Sequence, residues 1–172
     1  AMSNSNFLSS GDKIESQIKA LISKYNTAYK NQENPYYAHN FLTEAYELVK
    51  KAKRKDLYAS LYIKLGNTYY QDGIHDQKDW YLKALHYLKK YPDHFLEIEA
   101  LVGLGNVRYT DKTHPTNTLW YKKALDSLDN HDHSILRAQA LIGLGHAHYT
   151  DETHPQKSLW YIEALHTLKP TD

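Results

Sequence analysis

Apolar residues recur three and four positions apart along most of the chain, which predicts helices and not strands. One run is Ile14, Ile18, Leu21, Ile22, Tyr25 and Tyr29. Another holds Leu101, Leu104 and Tyr109, and a third Trp120, Tyr121, Ala124, Leu125 and Leu128. The pattern itself repeats. Residues 101–128 (LVGLGNVRYTDKTHPTNTLWYKKALDSL) and 141–168 (LIGLGHAHYTDETHPQKSLWYIEALHTL) agree at 16 of 28 positions, 40 residues apart. Identity on that scale predicts one backbone for both segments and a stack of like units.

The register extends towards the N-terminus. Trp80, Trp120 and Trp160 are each followed by Tyr, and each lies downstream of a Leu-Gly pair ending at Gly66, Gly105 or Gly145. From those glycines to Ala84, Ala124 and Ala164 the steps are 18, 19 and 19 residues, and from Ala to the next Gly they are 21. The same steps reach Ala45 and Asn26, so Ile22, Tyr25, Asn26 and Tyr29 hold the slots of Tyr62, Leu65, Gly66 and Tyr69 in a degenerate first unit. Four units follow, at approximately 12–53, 56–91, 93–130 and 133–170, each with a helix A and a helix B. Thr113-His114-Pro115 and Thr153-His154-Pro155 mark A–B turns, where proline suits the first turn of helix B. Asp12, Asp93 and Asp132 stand where A helices want an N-cap. Residues 1–10 are Ser/Asn-rich and predicted to be a disordered tail, Ala1 before Met2 reads as a cloning remnant, and the repeat domain spans 11–172.

A glycine inside a helix costs about 1 kcal/mol relative to alanine. Three at one slot therefore imply a shared steric cause: close approach of helix A to helix B, with the downstream Ala as its counterpart. The Trp ladder is predicted to fill the seams between successive hairpins.

These spacings resemble the tetratricopeptide repeat, whose motif runs W-x-x-L-G-x-x-Y on helix A and A-x-x-x-F-x-x-A on helix B. Leu101, Leu104, Gly105 and Arg108 fit the first part; Tyr121 and Ala124 fit the large and small slots of the second. The resemblance covers about residues 12–170. It implies an all-α, right-handed superhelical solenoid of four helix-turn-helix hairpins, with A helices lining a concave groove. Two features depart from the family. The period is about 40 residues instead of about 34, with the extra residues between helix B and the next helix A, which predicts longer helices. The small residue expected early in helix B is Ala38 in the first unit but Gln77, Asn117 and Lys157 in the others.

With Leu104 and Gly105 facing helix B, helical spacing puts Val102, Asn106 and Tyr109 on one groove-facing stripe. The equivalents are Ile63, Asn67 and Tyr70; Ile142, His146 and Tyr149; and Ser23, Thr27 and Lys30. A primary amide both donates and accepts, so it can hold a peptide unit. The resemblance implies that use for Asn67 and Asn106. Repeats that capture acidic chaperone tails add groove lysines or arginines, but the corresponding slots here are Ile63, Gln139 and Gly143. The expected function is a protein-interaction scaffold holding an extended peptide or partner segment in its groove. The alternatives are a type III secretion-like chaperone or peptide-sensing regulator, and a non-catalytic interaction domain of a larger enzyme or bacterial effector.

Composition narrows the partners. The 172 residues carry 21 basic and 20 acidic side chains, a formal charge of +1, which argues against a general nucleic-acid binder. There are no cysteines, so thiolate and disulfide chemistry are absent. No apolar run approaches the roughly 20 residues of a membrane span. After Ala1-Met2, Phe7–Leu8 is the sole apolar pair in the first ten residues, which predicts no signal peptide and a cytoplasmic protein, or an effector exported without one. The eleven histidines show no ligand spacing for a metal, and no nucleophile–base or phosphate-loop motif is present, so neither enzyme activity nor a cofactor or metal is expected. The basic run Lys50–Lys55 falls at the end of the first helix B, where the helix dipole favours cations. The chain stops directly after the fourth helix B, which predicts a homo-oligomer or a C-terminal continuation through that uncapped helix.

Overall fold

A computed structural model describes residues 10–31, 35–68, 74–107, 116–129 and 132–169. Residues 1–9 of the tail predicted at 1–10, Tyr70, Tyr109 and the Thr113-His114-Pro115 turn lie outside the described residues, while Ser10 belongs to the first helix. The described chain is all helical: α1 (Ser10–Lys30), α2 (Pro35–Ala52), a 3-10 turn (Lys55–Leu57), α3 (Tyr58–Asn67), α4 (Gln77–Leu88), α5 (His94–Asn106), α6 (Thr116–Asp126), α7 (Ser134–His146) and α8 (Ser158–Leu168). No helix among the described residues is long and apolar enough to cross a membrane. The chain divides into two compact units, Ala1–Tyr91 and Pro92–Asp172.

In the first unit α1 packs on α2, α3 on α4, and α2 on α3. Its core holds Ile18, Leu42, Val49, Leu61 and Leu65, all fully buried. Removing such an aliphatic side chain from water stabilises the fold by about 1.5–3 kcal/mol. An aromatic cluster joins the two helix pairs: Tyr46 of α2, Tyr58 and Tyr62 of α3, and Trp80 of α4. Burial pushes the Tyr62 phenol well above its ordinary value, and its hydroxyl lies 3.4 Å from that of Tyr46. The basic run closes α2 as expected, but Arg54 is no loose charge. It bonds Asp56 at 2.9 Å and Glu15 of α1 at 3.0 Å.

In the second unit α5 packs on α6, α7 on α8, and both α5 and α6 on α7. Ile98, Leu104, Ala124, Leu141, Leu144 and Ala164 form its core. On α8, Ile162, Leu165 and Leu168 remain about half exposed or more.

Helix starts follow local chemistry, with corrections. Asp93 caps α5, accepting from the Leu96 N–H at 2.9 Å. Asp76 and Asp79 form a reciprocal capping box at the start of α4. Asp132 does not cap α7. His133 takes that position with a left-handed φ of 44° and no side-chain bond, while Asp132 lies 3.8 Å from His94. Asp12 lies inside α1, and Pro155 stands three residues before α8. The expected longer helices occur only in the first pair, where α1 and α2 run 21 and 18 residues. From α5 to α8 they run 13, 11, 13 and 11 residues, and the longer period goes into connections such as residues 147–157 between α7 and α8.

Candidate functional site

The Leu-Gly slot is where helix A meets helix B, and the partner is the tyrosine after each tryptophan. A Cβ on Gly66 would sit 2.7 Å from the Tyr81 ring, and one on Gly145 would sit 2.6 Å from the Tyr161 ring. Real side chains do not make such contacts, so only glycine lets the ring lie flat on the backbone. Tyr121 is bounded twice, by Gly105 of α5 and by Gly143 of α7. The matching small residue is therefore not the alanine alone. Ala84, Ala124 and Ala164 are buried, but the close approach is made by the tyrosines.

Each tyrosine ring ends on the residue after the glycine. The Tyr81 hydroxyl donates to Asn67 Oδ1 at 2.7 Å, and the Tyr121 hydroxyl donates to Asn106 Oδ1 at 2.5 Å. The Tyr161 hydroxyl lies 2.9 Å from His146 Nδ1. With Oδ1 occupied as an acceptor, each asparagine keeps its amide N–H groups for other partners. When the Tyr161 hydroxyl donates to Nδ1, the His146 hydrogen sits on Nε2, which then donates as well.

At the start of helix B, Gln77 and Asn117 have a physical task. Gln77 Nε2 donates to the Gly66 carbonyl at 3.0 Å. Asn117 Nδ2 donates to the carbonyls of Gly105 at 2.6 Å and Val107 at 2.9 Å. These amides satisfy carbonyls that the end of helix A leaves without intrahelical partners, a task that a small apolar residue cannot perform.

The expected groove residues separate into three groups. Ile63 and Val102 are 1% and 2% exposed, so they belong to the core and offer no open surface. Asn106, His146 and Lys30 are exposed, while Asn67, Ile142 and Tyr149 are half-buried. Tyr70 and Tyr109 lie outside the described residues. The stripe also does not continue to Tyr149 as a helix. α7 ends at His146, and His148 turns the backbone with a left-handed φ of 55°. Thr27 turns its hydroxyl back to the Ser23 carbonyl at 3.1 Å.

Tyr149 is instead placed by the connection. Its carbonyl accepts from Trp160 Nε1 at 2.8 Å. The His154 ring stacks on Trp160 with centroids 3.4 Å apart and planes 5° apart. His154 is held in turn by Asp151 Oδ1 on its backbone N–H at 2.7 Å and by Glu163 Oε2 at its Nε2 at 2.6 Å. Arg137 of α7 donates to the other Glu163 oxygen at 3.2 Å. Thr153, His154 and Trp160 thus fasten the connection to both helices. In the preceding repeat the positions of Arg137 and Glu163 hold Glu97 and Lys123, residues of the opposite charges. Glu163→Gln removes the countercharge of Arg137, whose side chain is only 12% exposed. It is expected to cost about 1–3 kcal/mol in urea unfolding; an unchanged midpoint would show that the node is not structural.

Between α6 and the end of α7 lies an open cavity of about 620 Å³, lined among others by Asn117, Thr118, Tyr121, His146, His148 and Tyr149. Lys122 Nζ donates to the Tyr149 hydroxyl at 3.0 Å and stands 5.1 Å from its ring centroid. The Tyr149 hydroxyl beside it holds the Lys122 ammonium above the usual lysine range. The cavity therefore gathers His146 and Tyr149, which the sequence pointed to, with Asn117 and Tyr121, which it marked only as repeat slots; Lys122 joins it through its bond to Tyr149. The Tyr after each Trp was a readable signal, because it recurs as strictly as the Gly it covers. No metal-holding cluster of three or more His, Asp or Glu side chains exists among the described residues.

No family model, curated protein or solved structure matches the chain.

Proposed function

We propose that the chain is a protein-interaction scaffold of tetratricopeptide-like repeats, stacked as a right-handed superhelical solenoid, that holds an extended segment of a partner protein along its A helices. The observation that carries this reading is the repeated Gly–Tyr–Asn arrangement. In each helix pair from the second onward, the residue after the glycine is held by a tyrosine hydroxyl: Asn67, Asn106 and His146. A held polar side chain loses less conformational entropy on binding than a free one. An extended peptide presents a backbone carbonyl at every residue, which suits N–H donors set along neighbouring helices. In the second unit Asn106 and His146 are both exposed; His146 lines the open cavity, and Asn106 is bonded to Tyr121, which lines it too.

Selection from a random displayed-peptide library, followed by fluorescence polarisation with the recovered peptides, tests the reading. Asn106→Ala/His146→Ala is expected to weaken those peptides by about tenfold or more, the scale of one or two lost hydrogen bonds, with the melting temperature little changed. Recovery of no peptide, or equal binding by the double variant, would overturn it.

A further inference from the structure

Hydrogen-bond bookkeeping around the cavity of the second unit points beyond a general peptide groove. Lys122 can only donate, so its bond to Tyr149 occupies the phenol oxygen and turns the phenol hydrogen to another partner. Accepting from an ammonium also polarises that hydroxyl and strengthens its own donation. His146 meets Tyr161 through Nδ1, which leaves Nε2 for a ligand. His148 adds a second exposed imidazole, and Thr118 adds a hydroxyl. Asn117 has given both amide hydrogens to the end of α5, so it offers Oδ1 as an acceptor. None of the nine lining residues carries a carboxylate. Lys122, Asp126 and Asp151 stand outside that lining: Lys122 reaches the cavity through the Tyr149 hydroxyl, and the two aspartates act on Lys122 electrostatically.

We propose that this cavity is a carboxylate-binding subsite, in which the Tyr149 hydroxyl and His146 Nε2 donate to the two oxygens of a partner peptide's carboxylate while the Lys122 ammonium supplies the countercharge. The Asn117 Oδ1 then suits an amide N–H of the same peptide. This rests on the reading of the unit as a peptide binder and names the anchoring group. The carboxylate can belong to an acidic side chain or to a chain terminus; the chemistry is shared.

The test is an NMR titration of the full chain with three small probes: N-acetylglutamate α-amide for a side-chain carboxylate, N-acetylalanine for a terminal one, and N-acetylglutamine α-amide as the uncharged control. Saturable shifts centred on His146, His148 and Tyr149 are expected with at least one carboxylate probe and not with the glutamine probe, and whichever carboxylate binds more tightly identifies the source. Lys122→Met and Tyr149→Phe should each weaken that binding by about tenfold, and added salt should weaken it further. Equal shifts with the glutamine probe, shifts located elsewhere, or binding unchanged in both variants would overturn the proposal. Library peptides that bind without any preference for a carboxylate would defeat the subsite alone. A carboxylate that binds where no extended peptide does would defeat the groove reading and leave the subsite standing.

Discussion

Trp80→Ala is expected to cost about 3–5 kcal/mol of unfolding free energy, the upper part of the range for a single core truncation. The indole is 2% exposed. It stacks on Tyr62 at 5.7 Å between centroids, meets Tyr46 edge-on at 6.5 Å and touches His75 at 4.6 Å. Tyr46 belongs to α2 and Tyr62 to α3, so the indole is the piece that both helix pairs of the first unit share. Alanine would leave a void among rings that are fixed by one another and cannot close in. Trp120→Ala is the internal comparison. That indole is half-buried, Lys123 lies over it at 5.1 Å, and its Nε1 has no acceptor among the described residues. A smaller loss is expected there, since less contact disappears and one poorly satisfied donor goes with it. Urea unfolding of both variants gives the order. Equal losses, or an unchanged Trp80→Ala midpoint, would remove Trp80 from its place as the seam of the first unit.

The second large effect is a change of sign. Gly143→Ala should destabilise the second unit by about 1–3 kcal/mol through overpacking, although alanine favours the helix by about 1 kcal/mol. The added methyl would overlap the Tyr121 ring. That ring cannot withdraw, because Gly105 bounds it as well and its hydroxyl is bonded to Asn106. In a Tyr121→Ala background the obstacle is gone, so the same Gly143→Ala change should then stabilise by up to about 1 kcal/mol. A double-mutant cycle reads the difference directly. A substitution with the same sign in both backgrounds would show that the glycine serves something other than the ring.

Both effects start from spacing that was legible in the chain. Gly66, Gly105 and Gly145 announce a close approach because a helix tolerates glycine poorly without a steric return. The tryptophans announce core positions because large aromatics at a fixed repeat slot have to be covered. Tyr149 shows where such reading stops. Helical spacing carried the stripe from Ile142 through His146 to Tyr149, but α7 ends at His146 and a left-handed His148 redirects the chain. Its neighbours Ala147 and His148 give no strong stop signal, and the turn is secured by contacts distant in sequence, from Trp160 and Lys122 to Tyr149. Ile63 and Val102 mark a related error: one helical face was assigned to the groove, whereas both side chains are buried.

By itself, then, the sequence determined that the chain is helical, that one phrase of it recurs after 40 residues, and which slots must be small or large. Those properties depend on periodicity and on the volume each residue brings, and both are local. Only the tertiary structure decided that the ring over each glycine is the tyrosine beside the tryptophan, and that the hydroxyls of Tyr81 and Tyr121 take the Oδ1 of Asn67 and Asn106 as their acceptors. It likewise decided that Lys122 commits its ammonium to Tyr149. An amide or a hydroxyl can donate or accept, and which it does is settled by the neighbour that packing brings to it.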